Sequence, residues 1–259
     1  MVPAFDLTGR VALVTGAGSA RGIGFAGARL LGSLGAGVLV TSTTPRVEER
    51  AAQLRASGVD AIAMTGDLTV PDVAASLVQH ALDRWGRLDI VVHSAGMTSL
   101  SEPAAPGQPL GETTWGSWRS GVARNLDTTF LVVRAALAPM AATGWGRVVV
   151  VTSVTGPVMA MRAEPVYAAA KAGVVGLVRS VAVDYAARGI TANAVAPGWI
   201  ATASQTPFEA DQGLRGPMGR SADPDEVAAV IGWLATPGAS YVTGQCVVVD
   251  GGNSIGEER

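Results

Sequence analysis

Short runs rich in valine, alanine and threonine alternate along this chain with longer alanine-rich segments, and that alternation limits the fold more than any other feature. Strands are expected at residues 10–15, 38–41, 61–65, 89–93, 147–151, 191–196 and 246–249. They are almost unbroken apolar runs without in–out alternation, as a sheet covered on both faces requires. Helices are expected at residues 24–34, 47–57, 71–85, 114–143, 165–188 and 224–235. Pro71 and Pro224 open two of them, where a missing N–H costs nothing, and Thr69 and Asp223 stand where N-caps belong. Strand–helix–strand units with right-handed crossovers build one α/β fold, a doubly wound parallel sheet in the order 3-2-1-4-5-6-7. Such sheets bind ligands above the carboxyl ends of their strands, where the strand order reverses. Thr15, His93, Ser153 and Pro197 end or follow the first, fourth, fifth and sixth strands, so they converge there.

Composition narrows the class. At 259 residues the chain is expected to be a single domain, 1–259, with no internal repeat or linker to divide it. With 48% hydrophobic and 15% charged residues it can build a full core. A net charge of −2 offers no electrostatic reason for nucleic acid or an anionic membrane as partner. No apolar stretch reaches about 20 residues without glycine, proline or charge. The N-terminus lacks the basic and apolar regions of a leader, and the lone cysteine, Cys246, reads as a small hydrophobe in a core strand. A soluble, cytoplasmic protein is expected. With His80 and His93 the only histidines, no metal site is expected. Residues 98–111 and 199–220, rich in proline and glycine, read as irregular.

The chemistry concentrates in a few motifs. Tyr167-Ala-Ala-Ala-Lys171 puts a phenol and an ammonium on one helical face. A cation about 4 Å from the phenol, at an effective dielectric near 20, favours the phenolate by roughly 4 kcal/mol, enough to bring it toward the working range of a general acid–base. Ser153 follows the fifth strand, and Asn125 places an amide inside a long apolar helical stretch. Near the N-terminus, Gly16-Ala-Gly-Ser19-Ala-Arg21-Gly22-Ile23-Gly24 follows a strand and opens a helix, so backbone N–H groups can approach a pyrophosphate at a helix N-terminus. The second strand ends in Thr41-Ser42-Thr43-Thr44, without the acid that would hold a ribose 2′-hydroxyl, and hydroxyls with a nearby guanidinium from Arg21 or Arg46 suit a 2′-phosphate.

These motifs together resemble the short-chain dehydrogenase/reductase family, and in it most closely the bacterial 3-oxoacyl-(acyl carrier protein) reductase type, from Thr8 to Gly252. The resemblance implies a Rossmann-type fold, NADP or NAD as cofactor with NADP favoured, and a homotetramer built partly on helices 114–143 and 165–188. It implies a catalytic tetrad of Asn125, Ser153, Tyr167 and Lys171. Tyr167 would protonate a carbonyl oxygen, Ser153 would hold that oxygen, Lys171 would lower the Tyr167 pKa and bind the ribose, and Asn125 would hold a water that relays protons. Gly16, Ser19, Arg21, Gly22, Ile23 and Gly24 would cradle the cofactor, Ser42 and Thr43 would meet its ribose phosphate, and Asp67 with Leu68 its adenine. Ser94, Ala95 and Gly96 would approach it closely, and Pro197, Gly198, Ile200 and Thr202 would border the nicotinamide. The glycine-rich turn is two residues longer than the family pattern. His93-Ser94 replaces a pair of asparagines, the first of which ties neighbouring strands together. The activity implied is NADPH-dependent reduction of a ketone or 3-oxoacyl thioester. An NAD-dependent dehydrogenase of a small alcohol or sugar, and a cofactor-binding regulator without turnover, stand beside it as alternatives.

Overall fold

The computed structural model describes residues 2–96 and 107–256, so most of the expected loop at 98–111 lies outside the described residues. Seven parallel strands form one sheet: β1 (Val11–Thr15), β2 (Gly37–Ser42), β3 (Ala61–Thr65), β4 (Ile90–His93), β5 (Gly146–Val151), β6 (Ile190–Pro197) and β7 (Cys246–Val249). Their order is β3-β2-β1-β4-β5-β6-β7, as the crossovers require. Thr15 lies in register with Thr41 on one side and His93 on the other, so the strand ends are level at the reversal point.

Helices cover both faces: α1 (Ile23–Ser33), α2 (Arg46–Ala56), α3 (Pro71–Trp85), α4 (Trp115–Val122), α5 (Thr128–Thr143), α6 (Pro165–Tyr185), α7 (Pro207–Arg215) and α8 (Pro224–Ala235). Val14 of β1 points into a core with Leu31 of α1, Leu54 of α2 and Ile231 of α8. Its neighbour Leu13 points the other way, to Leu77 of α3, Val132 of α5 and Val178 of α6. Both faces of β1 are buried, which is why its pattern is apolar throughout. Truncating Leu13 to alanine would cost about 2–5 kcal/mol. The two long helical stretches, Trp115–Thr143 and Pro165–Arg188, are apolar enough by length and composition to cross a membrane. Part of their apolar surface packs into this second core.

The opposite end of the sheet is tied by charge. Buried Asp89, just before β4, accepts hydrogen bonds from Arg10 (3.0 Å), Arg87 (2.6 and 2.7 Å) and the Val11 amide (3.0 Å). The Arg10 and Arg147 guanidiniums stack on the Trp145 ring at 3.9 and 4.2 Å.

Several expectations need correction. Residues 114–143 are two helices joined by a π-turn over Ala123–Asp127, the kind of insertion that re-aims side chains at functional sites. Residues 199–220 are not irregular throughout, because α7 forms there. Thr206 accepts from the Glu209 amide and the Glu209 carboxylate returns to the Thr206 amide. Asp223 does cap α8, but Thr69 caps nothing: Val70 occupies that position, and the Thr69 hydroxyl donates to Asp67 at 2.7 Å. Cys246 is half-buried rather than core, since β7 is an edge strand paired with β6 alone.

Candidate active site

The site grows from the carboxyl ends of β1, β4, β5 and β6. Gly16 closes β1 with a left-handed φ of 68°, and a Cβ there would stand 2.6 Å from the Ser94 carbonyl oxygen and 2.7 Å from the Ala95 nitrogen. Only glycine lets the turn pack so closely on the loop after β4. A Cβ at Gly24 would come within 2.7 Å of the Gly16 oxygen, and one at Gly18 within 2.6 Å of Ser42 Oγ. Ser19 packs against Gly22, the N-cap of α1, and Ile23 begins the helix. That helix start has no side-chain cap and no acid in its first turn, which leaves its leading N–H groups for an anion.

Arg21 ties the turn to the segment after β6. The Arg21 carbonyl accepts from the Ala203 amide at 3.1 Å, and its guanidinium donates to the Ala201 carbonyl at 3.4 Å. Beside Ser42 and Thr43 the guanidinium is a different one, since Arg46 Nε donates to Thr44 Oγ1 at 3.3 Å. Ser42 Oγ in turn donates to the Thr44 carbonyl at 2.9 Å. Asp67 accepts from the amide and hydroxyl of Thr69 and stays exposed, while Leu68 is buried next to it.

Two hydrogen bonds dock α6 on the end of β5. Thr152 Oγ1 donates to the Lys171 carbonyl at 2.8 Å, and Lys171 Nζ donates to the Val151 carbonyl at 3.2 Å. Ser153 comes next in the chain and hydrogen-bonds the Tyr167 side chain. The Val154 amide donates to the Pro197 carbonyl and the Gly198 amide to the Val249 carbonyl, which fixes the turn after β6 beside them. Ile200 is buried and bridges to Ala222, and Thr202 shares a 3.1 Å hydroxyl contact with Ser204. Asn125 sits in the π-turn, 4% exposed, with Nδ2 donating to the Gly121 carbonyl. A Cβ at Gly96, whose φ is 139°, would lie 2.9 Å from Asn125 Oδ1 and 3.3 Å from Lys171 Nζ. The tertiary structure thus brings Asn125, Ser153, Tyr167 and Lys171 to the same end of the sheet.

The electrostatics differ from expectation. Lys171 Nζ lies 5.6 Å from the Tyr167 ring centre and is anchored on the Val151 carbonyl. Burial pushes the phenol up to about 12 against the pull of the Ser153 hydrogen bond, and the carboxylates of Glu164 and Glu209 push the same way as burial. Burial also brings Lys171 down to about 8. Glu164 and Glu209 were missed in the sequence. The Thr206–Glu209 capping box was a signal that could have found α7, and with it Glu209. Ala163, just before Glu164, holds a left-handed φ of 61° where alanine is strained, at the entrance to the tyrosine helix.

An open parallel sheet with a glycine turn, an uncapped helix start and a Ser-Tyr-Lys cluster at its reversal point defines a dinucleotide-dependent oxidoreductase. Residues 16–254 match the family model described as enoyl-(acyl carrier protein) reductase. The chain is 42% identical to cis-4-hydroxycyclohexanecarboxylate dehydrogenase of Sinomonas cyclohexanicum over 247 residues, 94% of this chain and 96% of the relative. It is 39% identical to a 3-oxoacyl-(acyl-carrier-protein) reductase of Pseudomonas aeruginosa, over 95% of this chain and 98% of that one. A solved structure from Beutenbergia cavernae, assigned as an NAD(P)-dependent gluconate 5-dehydrogenase and holding NADP at low occupancy, superposes with a TM-score of 0.86 at 37% identity, covering 96% of this chain and 98% of its own. The chain belongs to the short-chain dehydrogenase/reductase family and is an NAD(P)-dependent oxidoreductase.

Proposed function

We propose that this enzyme reduces a ketone or 3-oxoacyl thioester to the secondary alcohol with NADPH. The observation that carries the reading is the convergence of Ser153 on Tyr167, of Lys171 beside the Tyr167 ring, and of Lys171 and Asn125 on Gly96. The glycine turn and the uncapped start of α1 would hold the pyrophosphate, and Ser94 to Gly96 together with Pro197, Gly198, Ile200 and Thr202 would border the nicotinamide end. The bound cofactor supplies the hydride. Ser153 orients the carbonyl oxygen and stabilises the charge that develops on it. Tyr167 delivers the proton, and a phenol held near 12 is fully protonated at physiological pH, which suits reduction. Lys171, held against Val151, would meet the ribose hydroxyls, and Asn125 would hold the water that replenishes the proton.

NADP is favoured over NAD because β2 ends at Ser42 and runs into Thr43-Thr44 without an acid, and Arg46 bonds beside them. A homotetramer in the cytoplasm completes the proposal. Phe130 on α5 and Val183 on α6, 46% and 80% exposed, offer apolar surface for one interface. Sedimentation measures the assembly. Steady-state assays of simple ketones and 3-oxoacyl thioesters with each dinucleotide test the rest, and a tenfold or greater preference for NADH in kcat/KM would overturn the NADP assignment.

A further inference from the structure

His93 closes a chain of hydrogen bonds that runs through the sheet from the loop after β4 to the π-turn. The Ser94 and Ala95 amides both donate to Thr15 Oγ1, each at 3.2 Å. With two donors on that oxygen, the Thr15 hydroxyl proton must go to its remaining neighbour, His93 Nδ1, at 3.0 Å. The ring is 1% exposed, so a proton on Nε2 is the neutral tautomer that remains, and it faces Thr128 Oγ1 at 3.4 Å. Thr128 Oγ1 passes its own proton to the Arg124 carbonyl at 2.9 Å, inside the π-turn. The next residue, Asn125, has its carbonyl held by Thr129 Oγ1 at 3.0 Å. Every bond in this chain has one direction: a proton on Nδ1 instead would put a third donor on Thr15 Oγ1, and turning the Thr128 hydroxyl toward the ring would take the donor from the Arg124 carbonyl. A second proton on the ring would aim Nδ1–H at an oxygen whose acceptor sites are filled, and the Lys171 ammonium opposes that charge too.

We propose that His93, as the neutral Nε2–H tautomer, is a positioning residue that couples the Ser94-Ala95 backbone to the π-turn and thereby sets the position of Asn125 beside Gly96. The proposal rests on the catalytic reading above only for its effect on turnover. The tautomer and the placement of Asn125 follow from the ligand-free protein.

The test uses the full chain with 15N-labelled histidine and asparagine. His93 and exposed His80 are the only two histidines, so the ring signals are readily told apart. His93 should show the Nε2–H pattern at pH 7 and keep it to pH 5, and an Nδ1–H pattern or a charged ring at pH 7 overturns the proposal. Thr128→Val removes the hydroxyl without emptying the space, whereas Thr128→Ser keeps it. The valine variant should move the Asn125 side-chain amide resonance and lower kcat about tenfold or more, with KM for the dinucleotide changed less than about threefold, and the serine variant should recover both. A Thr128→Val enzyme within twofold of wild-type kcat, or with an unmoved Asn125 resonance, overturns the coupling. If the wild type turns over no carbonyl substrate, the catalytic reading fails, and the ring and amide resonances decide the positioning role.

Discussion

Tyr167 and Lys171 share one face of α6, yet the ammonium lies 5.6 Å from the phenol ring and hydrogen-bonds the Val151 carbonyl. The phenol therefore lies beside a cation tethered to β5. Tyr167→Phe should keep dinucleotide affinity close to wild type, because the ring still fills its place, while kcat for reduction falls by about 10²–10⁴-fold. Stopped-flow single turnovers and fluorescence titration with NADPH measure the two effects separately. A variant retaining more than about a tenth of wild-type kcat would remove Tyr167 from the proton-delivery step.

Gly96 leaves room for the side chains of Asn125 and Lys171, which both border it. Gly96→Ala would place a methyl 2.9 Å from Asn125 Oδ1 and 3.3 Å from Lys171 Nζ, on a backbone whose φ of 139° already disfavours alanine. Both side chains must shift, and kcat should drop at least about tenfold while the far-UV spectrum stays native. Unchanged kinetics would mean that the exact separation of these two groups does not matter to turnover.

Cofactor selection should depend on Arg46 more than on Arg21. Arg46 bonds beside Ser42 and Thr43, whereas the Arg21 guanidinium is taken up by Ala201. A charge-assisted bond to a 2′-phosphate is worth about 1.5–3 kcal/mol. Arg46→Ala should therefore raise KM for NADPH about ten- to a hundredfold and leave KM for NADH nearly unchanged, and Arg21→Ala should do neither. The reverse result would restore Arg21 to the phosphate subsite.

Acid should unfold the enzyme partly through His93. Burial, with the Lys171 charge second, brings its folded pKa down to about 3, whereas an unfolded histidine titrates near 6.5. The folded ring stays neutral where the unfolded one binds a proton, so its stabilising share is whole above about 6.5 and is lost as pH falls from there toward 3. Between pH 7 and 5 this amounts to about 2 kcal/mol. His93→Asn removes that titration, so the unfolding free energies from urea titrations at the two pH values should differ less in the variant by that amount. An equal shift in both proteins would show that His93 is protonated in the folded state.

The strand pattern, the glycine turn and the Tyr–Lys face were legible in the sequence because each follows from local spacing. Continuous apolar runs imply a sheet buried on both faces, and a four-residue interval on a helix implies one side. Strand order followed from crossover handedness, so the sequence already implied the region where Ser153, Tyr167 and Pro197 meet. What tertiary structure alone decided depends on contacts between distant segments and on burial. The docking of α6 on β5 took Lys171 to a carbonyl and raised the phenol instead of lowering it. Arg21 bonded to the segment after β6, and Arg46 rather than Arg21 supplies the guanidinium beside Ser42. The π-turn broke an apparently continuous helix to carry Asn125, and only the neighbours in space of β4 show that His93 links Thr15 to Thr128. Local periodicity fixes which way a side chain faces, and only the folded environment fixes its partner and its proton.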